Sequence, residues 1–132
     1  MAVTHSTAAR NAATDAVTAL IGASGKLKFR LAGTVAAPGT AVATLSLSAT
    51  AFQASGTPTA GTAVANAITS DTNATGNASP VATATLETSG GTVVIHCAVA
   101  ASASDINMGN GLTVAAGDTV SCSSLTYTAL SA

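Results

Sequence analysis

At Gly25 the hydrophobic period of the chain changes from 3.6 residues to 2, and that change dictates most of what can follow. Upstream, the run Ser6 to Ile21 (STAARNAATDAVTALI) spaces Ala9, Ala13, Ala16, Val17 and Leu20 by threes and fours, an apolar stripe on one helical face. Ser6 supplies an N-cap hydroxyl and Gly22 a C-terminal stop. The stripe is narrow and mostly Ala, so this helix buries little alone and is expected to lie against a sheet or a neighbouring subunit. Downstream, Leu27, Phe29 and Leu31 alternate with Lys26, Lys28 and Arg30, which predicts a strand with one buried and one wet face.

Period 2 then recurs in short pieces. Strands are expected at 41 to 48, with Ala43, Leu45 and Leu47 on one face, and at 62 to 69, 81 to 88, 92 to 99, 104 to 107, 112 to 115 and 119 to 128. Turn chemistry separates them, and Ser89-Gly90-Gly91 is short enough to close a hairpin between 81 to 88 and 92 to 99. Eight short strands in one domain argue for a mainly β fold, an antiparallel β-sandwich with a jelly roll as the first choice, preceded by one short helix. The chain then divides into an N-terminal arm and helix, 1 to 25, and a β-sandwich, 26 to 132, within one compact domain.

Composition sets the quality of the core. Ala, Thr, Ser and Gly fill 80 of 132 positions, while Leu, Ile, Val and Phe number 26, so the expected core is thin. With a net charge of −1 the chain lacks the self-repulsion of a disordered one. Oligomerisation or docking is expected to supply stability that so little buried area cannot.

The charges are few and unevenly placed. Arg10, Lys26, Lys28, Arg30 and Asp15 give residues 1 to 70 a charge of +3, and Asp71, Glu87, Asp105 and Asp118 give the remainder −4. Four basic residues fall short of a nucleic-acid footprint, no apolar run approaches the roughly 20 residues of a membrane span, and no secretory signal is visible. A soluble protein made in a cytoplasm is expected, with Cys97 and Cys122 reduced and at least partly buried. The end-to-end polarity can orient the molecule on a charged partner.

Chemistry-bearing residues are sparse, and each has a plainer reading. His5 stands in the leader and His96 in a β-rich run, with no G-x-S-x-G elbow to pair with either. Cys97 follows His96 directly, but strand neighbours point to opposite faces, so a zinc site is rejected. Asp71-Thr-Asn73-Ala-Thr75-Gly76 matches the front half of a calcium loop, yet Ala82 stands where the bidentate Glu belongs, and a polar turn is expected instead. Gly22-Ala-Ser-Gly25-Lys26 ends a helix rather than opening one and so lacks phosphate-loop context. No catalytic residue, metal, cofactor or small-molecule substrate is predicted.

The serial order of segments carries more information than any one of them. Ser6-Thr-Ala-Ala-Arg-Asn-Ala-Ala-Thr-Asp-Ala-Val17, Ala65-Asn-Ala-Ile-Thr-Ser-Asp71, Gly91-Thr-Val-Val94, Ser104-Asp-Ile-Asn107 and Gly117-Asp-Thr-Val-Ser-Cys-Ser-Ser-Leu-Thr-Tyr-Thr128 together resemble the small β-rich capsid decoration, or cement, proteins of tailed bacteriophages. Ser79-Pro80-Val81 departs from that pattern, standing where an aromatic residue such as Trp is expected. The resemblance implies a non-enzymatic virion protein, assembled in the host cytoplasm, that binds the capsid's outer surface and bridges its subunits. The implied partners are the major capsid protein and further copies of the chain. A tail or neck component, or a bacterial surface or fimbrial module, is the alternative. Arg10, Lys26, Lys28 and Arg30 are the residues expected to assist docking, the last three as a positive row on the wet face of the first strand.

Overall fold

The structure, a computed structural model, describes residues 3 to 132. One helix, α1 (Thr7–Ala19), precedes seven strands: β1 (Lys26–Arg30), β2 (Ala41–Ser46), β3 (Thr62–Val64), β4 (Thr83–Glu87), β5 (Val93–Ala100), β6 (Ile106–Asn107) and β7 (Thr126–Thr128). Five strands form a sheet in the order β2-β1-β4-β5-β6, and β3 pairs with β7 in a separate ribbon. The fold is therefore mainly β with one short helix, as the change of period requires.

Both ends of α1 obey their capping residues. Ser6 accepts a hydrogen bond from the backbone N–H of Ala9 at 3.2 Å, satisfying one of the orphan donors of the first turn. Beyond the last turn Gly22 takes a φ of +69°, a conformation in which a β-carbon is strained, and its N–H returns to the Ala19 carbonyl.

In β1 the alternation holds: Leu27 and Phe29 are buried and Lys26, Lys28 and Arg30 are half-buried. It is an interior strand, pairing antiparallel with β2 on one side and β4 on the other, so that Thr44, Lys28 and Thr85 stand in one cross-strand row. The row continues to His96, because Thr85 pairs with His96 in β5. The expected hairpin at 89 to 91 joins β4 to β5, with Gly91 N–H bonded to Thr88 O and Thr88 N–H to Thr92 O.

Leu27, Leu45 and Leu86 from the large sheet share one core with Ile21, Phe52, Ala63 and Val120 from outside it. Of 17 core residues five are Ala, which lets the layers approach closely while each contributes little area.

The structure corrects the sequence reading in three places. The large sheet is mixed rather than purely antiparallel: β6 runs parallel to β5, pairing Val99 with Ile106 and Ala100 with Asn107. The turn that permits this is local, with Ala103 at a φ of +55°, Asp105 accepting from the Ala98 N–H and Asn107 from the Ser104 N–H. Second, residues 112 to 115 form no strand, and 119 to 128 contributes only β7 and a bridge between Val120 and Asp71. Asp118 bonds its carboxylate back to the Ala115 N–H, a side-chain-to-backbone turn that competes with strand pairing. Third, the apolar stripe of α1 is only partly covered: Ala13 and Val17 are half-buried while Ala9, Ala16 and Leu20 face outward, and the side against the β body also carries Thr14, buried, and the half-buried Arg10, Asn11 and Asp15.

Candidate functional site

Two surfaces include the residues singled out in the sequence. The first is the polar face of the large sheet. Glu87, the chain's sole Glu, is fully buried there. Arg30 donates to its Oε2 at 2.7 Å, and the Thr85 hydroxyl donates to the same oxygen. Lys28 Nζ stands 3.2 Å from Oε1, a charge partner without an aligned hydrogen bond. Arg30 also donates to Thr85 Oγ1 at 3.0 Å and to the Gly39 carbonyl at 2.7 Å, which pins its guanidinium flat on the sheet. Lys26 turns to Ser46 Oγ at 3.0 Å.

The wet face of β1 is thus no open row of cations. Lys28 and Arg30 leave only 24% and 13% of their side chains exposed, because the anion they neutralise lies beneath them. Three cations against one carboxylate still leave a formal +2 on this face. Burial pushes the Glu87 carboxyl upward, but the Thr85 hydroxyl, Arg30 guanidinium and Lys28 ammonium outweigh it and hold the group below the usual carboxylate range. His96, in the same cross-strand row as Thr85, has a buried Nε2 with no hydrogen-bond partner.

The second surface is α1 and its seat. Arg10 donates to the carbonyls of Leu130 at 3.2 Å and Ala60 at 2.9 Å, so its charge is used to hold the arm to the body. Asn11 Oδ1 accepts from Gly61 N–H at 2.7 Å, and its carbonyl accepts from Ser55 Oγ at 3.0 Å. Asp15 Oδ1 accepts from the Ser55 N–H at 2.8 Å. Thr14 donates to the Gly61 carbonyl and accepts from the Ala129 N–H at 3.0 Å. Every one of these partners is a backbone group or a short hydroxyl in a loop, which explains why the polar side of the helix turns inward. Such loops carry carbonyls and N–H groups that need partners when covered. What remains outside is Ala9, Ala12, Ala16, Ala19 and Leu20, the last 66% exposed.

The structure therefore places Lys26, Lys28 and Arg30 together and Arg10 elsewhere. Sequence reasoning missed Glu87 and the seat residues Asn11, Thr14 and Asp15. A signal for Glu87 existed: Thr83, Thr85 and Glu87 alternate with Ala84 and Leu86, giving a polar strand face for the β1 cations to meet. The Asp71 turn uses its carboxylate on backbone, Oδ2 accepting from Thr44 N–H and Oδ1 from Asn73 N–H. Among the described residues no three His, Cys, Asp or Glu side chains gather as a metal site.

Cys97 and Cys122 are free and half-buried. Burial, with a smaller contribution from Asp105, pushes the Cys97 thiol up to about 11, and burial raises Cys122 against the opposing Ser124 contact. Both thiols are expected to label slowly with iodoacetamide in native buffer near neutral pH and quickly in denaturant, as read by intact mass. Rapid native labelling of both contradicts this placement.

Comparison with family models, curated proteins and solved structures finds no match to this chain.

Proposed function

We propose that this chain is a non-enzymatic structural protein of a phage virion that binds the outer surface of the capsid and bridges its subunits. The order of motifs along the chain suggests the role, and the orientation of α1 is the observation that supports it. A 13-residue helix is about 20 Å long, and here it spends its polar side chains on its own body and offers a small-residue face outward. Ala at the contact lets another backbone approach closely, and the area per copy is small, so many copies acting together must supply the holding energy. The +2 on the sheet's polar face suits a steering role, setting orientation and association rate more than affinity. The jelly-roll reading rests on the spacing of strand and turn signals along the sequence.

The experiment is to strip shells of the protein and re-add it. Wild type is expected to bind bare shells, Ala12→Glu and Ala16→Glu on the exposed face of α1 to fail while keeping the native circular dichroism, and Lys26→Ala to load more slowly at low salt. Lys26 is the right cation to remove because Lys28 and Arg30 hold Glu87 and their loss disturbs the fold. Wild type that never binds shells contradicts the assignment, and folded Ala12→Glu and Ala16→Glu chains that load like wild type contradict the role of the α1 face.

A further inference from the structure

Between the large sheet and the ribbon the core has an open side. A groove of about 880 Å³ runs there, with β6 and the Gly109-Asn110-Gly111 turn on one wall and residues 121 to 126 on the other. Its floor includes Phe29, Val114 and Val120, all core residues. Among the described residues both walls end in unpaired strand edges: β6 is the last strand of its sheet, and β7 has a partner only on its β3 side. The Leu125 carbonyl accepts from Ala65 N–H, so by the alternation of an antiparallel ladder Thr126 and Thr128 turn their own backbone groups away from β3. Open strand edges flanking a groove with mostly polar walls and an apolar floor are the geometry of strand addition.

We propose that this groove receives the leader of a second copy, residues 3 to 6, as an added strand beside β7. Three observations select that occupant. First, all four leader residues are exposed, Val3 at 77%, and the described side-chain contact made by the leader to the body is His5 Nδ1 with the Ala132 carbonyl at 2.7 Å. Second, four extended residues span about 13 Å, enough to run alongside the three residues of β7, and their alternation puts Val3 and His5 on one side with Thr4 and Ser6 on the other. Val3 and His5 then face the groove while the hydroxyls face water. Third, the lining includes Asp105 and Asp118 and no Lys, Arg or His, whereas the leader has no acid and brings His5. Exchange of a terminal segment between identical chains is a low-barrier route to an assembly. The proposal concerns free protein and stands apart from shell binding, so either can fail alone.

Sedimentation equilibrium of the full chain, over concentrations reaching about 100 μM, tests it. The expected result is self-association that both Val3→Asp and Thr126→Pro weaken by about tenfold or more in Kd. Val3→Asp puts a carboxylate over the apolar floor, in a groove already holding two. Thr126→Pro removes an outward N–H that no β3 group uses. Circular dichroism reports whether each variant keeps the native fold. Should Thr126→Pro not fold, Val3→Asp decides alone, since Val3 lies outside every element. A monomeric wild type, or association that a folded variant leaves unchanged, overturns the proposal.

Discussion

Replacing Glu87 by Ala is expected to destabilise the fold by about 3 kcal/mol, which is close to the loss found when one partner of a buried ion pair is removed. The carboxylate is fully buried, and its loss leaves Lys28 and Arg30 side by side along one face of β1 with no anion between them and the Thr85 hydroxyl deprived of its acceptor. The two cations retain some contact with water, which places the effect toward the lower end of the buried-pair range. Glu87→Gln keeps the shape and one acceptor, so it should be milder. Urea denaturation at neutral pH measures both.

The same group gives the fold an acid dependence. Because the folded-state pKa of Glu87 lies below its ordinary value of 4.5, the stability it contributes is present in full above that value and is lost as pH falls through the folded pKa. Wild type should therefore lose more stability than Glu87→Gln between about pH 7 and pH 3. Equal slopes for the two proteins contradict the ion-pair account.

The second large effect is expected at Thr14. Thr14→Val preserves volume but removes the donor to Gly61 and the acceptor for Ala129, in a side chain with no solvent exposure. A buried backbone group left without a partner costs about 1 to 3 kcal/mol, and the half-buried Ala129 N–H adds less than the buried Gly61 carbonyl, so a loss of about 2 to 4 kcal/mol in urea denaturation is expected, with partial fraying of α1. Thr14→Ser keeps the hydroxyl and should recover most of it. If Val is as stable as Thr, the helix is not held by this clamp.

What was legible in the sequence was whatever depends on neighbours along the chain. Ser6 and Gly22 bound α1 through bonds spanning three residues, the Lys26 to Arg30 alternation marks β1, and the Ser89-Gly90-Gly91 turn marks a hairpin. The orientation of α1 was not legible, because it is decided by Gly61, Ser55 and Ala129, groups distant in sequence whose need for partners has no periodicity. A stripe of Ala weakly resists exposure, so hydrogen bonding to buried backbone prevails over the apolar pattern. The parallel β6 was hidden for a related reason: Asp105 and Asn107 tie the turn through their side chains, where alternation alone suggests an ordinary antiparallel return. On the sheet's polar face the three cations of β1 were visible, but pairing across the sheet, which gives Lys28 and Arg30 to Glu87, required the register of β1 against β4.

The proposed function puts this molecule on the outside of a shell with α1 toward it. A density map of the assembled particle, at a resolution that separates the helix from the sheet, tests that placement. Density for the β body is expected outside the capsid lattice at subunit junctions, with the Ala9, Ala12 and Ala16 face of α1 nearest the shell. Density confined to the tail, the neck or the particle interior, or a body bound with α1 pointing into solvent, contradicts it.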